Sequence, residues 1–493
     1  MAKRLFIRYN QAIRTADRRE NDMKTGALLG ALIDAAQIQK TDFALSMNMT
    51  PSGLSKILTG KRLPFLKEKE AFSRQAAAYF AEIFFGYGCY LKLGPVFPVV
   101  YDFNSKYELE VFLASAIEYA LDGDFLAENG ESPDYPCKEQ SFLGKKTMLN
   151  LFCVILSDYV RENRVSSMEF YSALPLFDPV YAEIFGRIRV ALKEDPARVS
   201  FHHMLDISSF ETSYGSGGAN LLSCIFNAER HVDLNLWETE KTAQSPFLLL
   251  KGQFLLIFTL QIDGKTPLMT LIRHKAYLTM FFNNLMRRNT RKISYNREEA
   301  LRLLETDSSL SADLIGEHLD AVYIFLPIGY LSDAEEIGRM SGKDSVKKGV
   351  AELFCCALEK CDAFFLSVDS LSSFYCTGKV IIPLLGTIEI AKDRRIPFLM
   401  RYDTAINKKA LHSKVRITGS EVPKMFALCA KGLSLIYLYD DASGAEKIHC
   451  FHSDIVQDIL SVEVADGSVQ FMEFSHELWS SYIGGLSNGQ SWI

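Results

Sequence analysis

The run Thr50-Pro51-Ser52-Gly53-Leu54-Ser55-Lys56-Ile57, followed by Lys61-Arg62, holds the clearest chemistry in the chain. Thr50 is a good helix N-cap and Pro51 suits the first helical position, so a helix is expected to start there. Leu54 and Ile57, three residues apart, mark its inward face. Ser52, Gly53, Ser55 and Lys56 are then left facing outward. Short polar groups and one ammonium are the types that hydrogen-bond base edges in a major groove. Lys61 and Arg62 follow the helix, where basic side chains can hold phosphate oxygens. Thr50 completes the candidate DNA-contacting set of this run. The competing reading is a small helical bundle that uses the same packing for protein contacts.

Other constellations carry less. Tyr214-Gly-Ser-Gly-Gly-Ala219 lacks the Gly-Lys-Ser/Thr of a phosphate loop and is not Gly-x-Ser-x-Gly, so it reads as a loop. Thr59-Gly60-Lys61 and Thr377-Gly378-Lys379 have no upstream Gly at phosphate-loop spacing. Cys355, Cys356 and Cys361 are expected on one helix, at no metal-ligand spacing, and read as small core hydrophobes. In His449-Cys450-Phe451-His452, a strand would place Cys450 and His452 on one face, with Cys429 able to approach. A metal or redox sensor and a packed sheet face are the two readings. His202 and His203 would face opposite sides of a strand, which argues against a shared metal. No His-Glu-x-x-His occurs. No catalytic residue, metal site or cofactor is assigned on this basis, and enzymatic turnover is not expected.

The elements that must position Ser52 to Arg62 are helical. Leu28, Leu29, Leu32, Ile33 and Ala36 recur at helical spacing, and a short helix follows through Phe43, Ala44 and Met47. Asn48 tolerates a left-handed backbone, as a tight turn between helices requires. Gly60 is placed to end the third helix and Pro64 to stop its continuation. A fourth helix is expected from about Leu66 to Phe85. Ile38-Gln39-Lys40-Thr41-Asp42-Phe43-Ala44, then Met47-Asn48-Met49-Thr50, Leu54-Ser55-Lys56-Ile57 and Gly60-Lys61-Arg62-x-Pro64 resemble the helix-turn-helix of the phage-repressor-like (XRE) family. The resemblance covers about 60 residues. It implies that Ala44 lets two helices pack closely and that the Thr50–Leu58 helix is the recognition helix. Asn48 stands where that family commonly has Gly, and Leu58 where it has Glu; Lys40 stands where it has a Gln that contacts a phosphate, and the resemblance implies that Lys40 joins the candidate DNA-contacting set.

The charge is unevenly spread. Residues 1–75 carry fourteen Lys or Arg against seven Asp or Glu, whereas the whole 493-residue chain has a net charge of −6. A basic segment on an acidic body is an electrostatic footprint for a polyanion, or else a solvated mixed-charge surface. No apolar stretch reaches the ~18 residues of a membrane span. The N-terminus lacks the apolar core of a signal peptide, and ten Cys in so long a chain fit a reducing compartment, so a cytoplasmic protein is expected. The 34 Phe and 21 Tyr read first as core, although an apolar effector pocket could use some.

The expected fold is multi-domain: an all-α helix-turn-helix head, then a helical segment and a mixed α/β body. The boundaries fall at 1–85 for the head, 86–98 for a Gly/Pro-rich linker, 99–195 for the mostly helical segment and 196–493 for the body. Helices are expected at 107–121, 145–163 and 178–193, with an acidic loop at 122–139. Phe254–Ile262 and Leu268–Ile272 read as a hairpin around Asp263-Gly264, followed by a helix. Lys431-Gly432 opens a similar strand-turn-strand-helix layout 180 residues after Lys251-Gly252. Either two related lobes, about 196–310 and 311–493, or a chance likeness accounts for this. Residues 100–493 resemble no known family. The expected function is a sequence-specific DNA-binding transcription regulator whose partners are double-stranded DNA, a second copy of itself and an unidentified small-molecule or protein effector. The alternatives are an antitoxin or defence-system interaction protein, and an enzyme with an appended DNA-binding head.

Overall fold

The computed structural model describes residues 23–128, 140–162, 167–175, 181, 186–190, 199–207, 225–226, 228–229, 232–239, 246–288, 290–303, 318–409, 414–419, 422–441, 444–465 and 470–487. The basic run from Lys3 to Arg19, the Tyr214–Ala219 loop and most of the 122–139 and 178–193 segments lie outside the described residues. The chain is multi-domain, with a helical N-terminus and an α/β body. By packing it forms two compact units. One comprises Met1–Phe201, His231–Asp233 and Gln244–Arg288; the other comprises His202–Arg230, Leu234–Ala243 and Asn289–Ile493.

The head contains α1 (Thr25–Ala36), α2 (Lys40–Ser46), α3 (Pro51–Leu58) and α4 (Lys69–Phe84). Then come α5 (Cys89–Leu93), β1 (Val99–Tyr101), α6 (Lys106–Glu128), β2 (Gln140–Leu143) and α7 (Lys145–Glu162). Leu28, Leu32, Phe43, Leu54, Ile57, Phe80 and Phe84 are buried in one hydrophobic core with Phe112, Ile117 and Phe152 of the following segment. Polar contacts reinforce the attachment. The Thr25 N–H donates to Asp124 Oδ2 at 2.8 Å, the Met23 N–H to the buried Asp158 Oδ2 at 3.2 Å, and Lys69 Nζ pairs with Asp122 Oδ1 at 2.8 Å. Carboxylates at a helix N-terminus satisfy its orphan N–H groups and oppose the positive end of its dipole.

Three sequence expectations change here. Residues 86–98 are not an open linker. Gly88, at φ +70°, starts α5, and Leu93, Val96 and Phe97 are buried, with Phe97 set edge-on to Phe112 at 4.9 Å. Residues 122–128, expected in a loop, are helical, because α6 runs on to Glu128, and residues 129–139 lie outside the described residues. Within 178–193, residues Ile188–Val190 form a strand, β4, antiparallel to β1, and Arg187 donates to both carboxylate oxygens of Glu108.

The body holds two eight-stranded sheets. The first uses β2, β3 (Met168–Ser172), β5 (Val199–Leu205), β6 (Asp233–Thr239), β7 (Phe247–Leu250), β8 (Phe254–Leu260), β9 (Pro267–Ile272) and β10 (Thr290–Lys292), with α8 (Lys275–Met286) between the last two. The second uses β11 (Ser294–Asn296), β12 (Leu319–Ile324), β13 (Cys361–Ser367), β16 (Lys414–Thr418), β17 (Phe426–Ala430), β18 (Leu433–Tyr439), β19 (Glu446–Phe451) and β20 (Phe471–Phe474). Its helices are α9 (Arg297–Leu303), α10 (Ala334–Gly338), α11 (Asp344–Lys360), α12 (Val368–Thr377), α13 (Arg395–Lys409), α14 (Ile455–Ala465) and α15 (His476–Ser487). A small hairpin, β14 (Lys379–Ile382) with β15 (Gly386–Glu389), lies between α12 and α13.

The strand order is β10-β6-β5-β3-β7-β8-β9-β2 in the first sheet and, read from the corresponding end, β20-β16-β13-β12-β17-β18-β19-β11 in the second. The strands also follow one another along the chain in the same sequence, so the two sheets have one topology. The likeness read from the two hairpin-helix layouts thus extends to the whole sheet. In the second sheet β12, β13 and β16 run parallel, with α10 and α11 making the first crossover. Both meanders turn on glycine with left-handed backbone: Gly252 and Gly432 at φ +73°, Gly264 at +63° and Gly444 at +69°.

Candidate functional site

The local geometry of α2 and α3 follows from their sequence. The Met49 N–H reaches the Ala44 carbonyl at 2.9 Å, and Asn48 turns the chain at φ +52°. Thr50 Oγ1 accepts from the Gly53 N–H at 3.1 Å, and Pro51 opens α3, as its missing N–H and fixed φ favour. Leu54 and Ile57 are buried. Gln75 Nε2 of α4 donates to the Ser46 carbonyl at 2.7 Å, tying the fourth helix to the second. Gly26 brings α1 against the end of α3: a Cβ there would sit 2.5 Å from the Leu58 carbonyl oxygen and 2.6 Å from that of Ile57.

Ser52, Ser55 and Lys56 are exposed on α3, with Gly53 half-buried between them; Lys40, Thr50, Lys61 and Arg62 are exposed too. Gly60, at φ +68°, ends the helix, and the Lys61 and Arg62 N–H groups turn back to the Lys56 carbonyl at 2.8 and 3.3 Å. That closure fixes both basic residues against the last turn of α3. Lys69, Arg74 and Lys106 are held in ion pairs, whereas Lys40, Lys56, Lys61 and Arg62 form none among the described residues. The structure adds one neighbour that local spacing did not single out: the Arg62 guanidinium lies 5.7 Å from the Phe65 ring centre. Leu45, Phe65 and Leu66 are exposed at 71%, 65% and 65%, which makes the head's surface both basic and apolar.

The other constellations resolve differently. Cys355 and Cys356 lie on α11, but Cys361 starts β13, so the three do not share a helix. Cys429 and Cys450 are buried thiols outside any disulfide among the described residues, and burial pushes the Cys429 thiol up to about 12, away from the thiolate a metal or redox site requires. His449 is fully buried. Its Nδ1 lies 2.8 Å from Ser294 Oγ and its Nε2 3.3 Å from Glu229 Oε1. Burial lowers the imidazole pKa, with the Glu229 carboxylate opposing in part. Serine, histidine and carboxylate in series have the composition of a hydrolytic triad. Here Ser294 Oγ accepts the Leu236 N–H at 2.7 Å, and both Ser294 and His449 have 0% exposure, so the series is a buried structural network. Beside it the buried Glu446 carboxylate accepts from Arg297 Nε at 2.7 Å, Tyr437 Oη at 2.8 Å and the Leu384 N–H at 2.9 Å. Leu384 takes a left-handed backbone at φ +63°. Among the described residues, His318, Asp320 and Asp362 are the group whose ligand atoms come close enough for one metal, and a 2.9 Å His318–Asp362 pair already occupies two of them.

No protein-family model matches the chain, and no curated protein matches it. Among solved structures, one described as TrmBL2, an archaeal chromatin protein with a novel mode of DNA binding, aligns at 16% identity and a TM-score of 0.20. The alignment covers 38% of this chain and 65% of that one. No helix among the described residues is long and apolar enough to cross a membrane.

Proposed function

We propose that the chain is a sequence-specific DNA-binding transcription regulator, in which α3 reads double-stranded DNA and the body dimerises and senses an effector. The observation that carries the reading is the outward face of α3, with Ser52, Gly53, Ser55 and Lys56 beside Lys61, Arg62 and Lys40, cations that form no ion pair among the described residues. A capped helix with short polar groups outward suits a major groove, and cations fixed at its end suit phosphates. The expected setting is cytoplasmic. A homodimer is proposed because one such helix covers little DNA, and light scattering on the full chain tests it.

The test of DNA reading is a binding isotherm on a selected duplex and on random DNA at several salt concentrations. Replacing Lys61 and Arg62 with Ala should weaken both and flatten the salt dependence by about one unit of slope per lost phosphate contact. Ser52→Ala or Lys56→Ala should cost roughly 1–3 kcal/mol on the selected duplex and less on random DNA. Unchanged binding by all four variants would sink the reading. A second reading, a protein-interaction module of the antitoxin or defence type, is favoured by the exposed Leu45, Phe65 and Leu66. Binding that is insensitive to salt but lost on replacing Phe65 and Leu66 with Ser would select it.

A further inference from the structure

We propose that a cavity at the base of the head binds a compact zwitterion, a small molecule carrying an ammonium and a carboxylate group. The cavity has a volume of about 260 Å³, and Met23, Glu118, Asp122, Gln140, Thr147 and Arg273 line it. They come from the residue before α1's flank, from α6, β2 and α7, and from the end of β9, all within the first unit. Its size falls below the ~300–1,000 Å³ of drug-sized sites, which sets the ligand class as compact.

The lining states what the ligand must carry. Glu118 and Asp122 are four residues apart on α6 and so share a face. Asp122 is engaged by Lys69 at 2.8 Å, which leaves Glu118 as the carboxylate facing the cavity without an ion pair among the described residues. Gln140 Oε1 is buried and accepts no hydrogen bond among the described residues. The Gln140 oxygen calls for a donor, and burial raises the Glu118 carboxyl pKa, opposed in part by Lys69, a cost that a bound ammonium would offset further. Arg273, oriented by the Tyr119 hydroxyl, supplies the opposite requirement, an anionic acceptor. A simple amine answers the first demand and not the second. A simple carboxylate meets Arg273 but also the repulsion of two acids.

The walls also hold the helix-turn-helix. Met23 and Thr25 hang from Asp158 and Asp124, and Asp122 binds Lys69 at the start of α4. A ligand that shifts α6 therefore shifts the helices that carry α3, and its effect on DNA affinity must equal the effect of DNA on its own affinity. That coupling, unlike the site itself, rests on the DNA-binding reading.

The test uses the full chain and free L-alanine, L-serine and L-glutamine as probes, with ethylamine and propionate as controls. Thermal unfolding should show a midpoint rise of roughly 2–6 °C with at least one amino acid and a smaller one with either control. The rise should disappear in Glu118→Gln and Arg273→Gln. Thr147→Trp, at the exposed mouth, should abolish it while leaving the unliganded midpoint in place, which covers the case in which either charge variant unfolds. No response to any amino acid, an equal response to ethylamine or propionate, or a response retained in Thr147→Trp would overturn the proposal. An intact thermal response in a protein that binds no DNA would keep the site and remove the regulator.

Discussion

The two sheets share one topology yet treat the same edge position in opposite ways. In the first, Ser141 on β2 faces Thr270 on β9, and their hydroxyls lie 3.1 Å apart at an exposed edge. In the second, Ser294 on β11 faces His449 on β19, 2.8 Å apart and fully buried. The opening residue of β9 is Pro267; that of β19 is Glu446, a buried carboxylate with three donors. The pairing and turn glycines set the backbone in both, while burial decides the chemistry. Once covered, the Ser294–His449 pair needs the Leu236 N–H and Glu229, itself paired with Lys447, because an unmet buried polar group is costly.

This contrast can be broken by measurement. The largest effect should come from Glu446→Ala, which strands Arg297, Tyr437 and the left-handed Leu384 at once. A loss of about 3–5 kcal/mol in denaturant unfolding is expected, against about 1 or less for Pro267→Ala at the corresponding strand start. Comparable losses would mean that the two edges do not differ as described.

Next comes pH. His203 on β5 is fully buried, and burial lowers its pKa from 6.5 to about 4. The unfolded chain therefore takes up a proton first, so stability is intact above about pH 6.5 and falls as the pH drops toward about 4. His449 is shifted the same way and adds to the slope. The His203 share is on the order of 3 kcal/mol, and His203→Leu should remove it. A slope unchanged by that substitution would assign the acid sensitivity elsewhere. The finest comparison is Ser294→Ala, expected to cost about 1–3 kcal/mol by leaving the Leu236 N–H and His449 Nδ1 unmatched, against Ser141→Ala, expected within about 0.5 kcal/mol.

What was legible in the sequence was local. Thr50-Pro51, the Leu54/Ile57 spacing and Asn48 encode their helices and turn within a few residues, and Asp263-Gly264 and Lys431-Gly432 mark meander turns equally well. The 86–98 segment misled because Gly and Pro signal a hinge, while the partners that bury Leu93 and Phe97 lie elsewhere in the chain. β4 is three residues long and exists through β1, roughly ninety positions away. Cys361 continued an apolar helical pattern, yet it opens a strand whose parallel neighbours, β12 and β16, are non-local. The proposed cavity draws on five separated segments and has no sequence signature at all. The shared topology showed only where two tight turns fell at like spacing.

At Gly30, also on α1, an added Cβ meets open space in helical backbone, so alanine there passes unnoticed. At Gly26 one added carbon would press on the carbonyl ends of α3, so the chain cannot accept it without moving the helix that carries Ser52 and Lys56. A selection for cells that lose the head's activity but still accumulate full-length protein should therefore return Gly26 alleles, although this residue touches no ligand of its own. Second-site suppressors should cluster at Leu58 and Thr59, where the end of α3 could be shortened to make room.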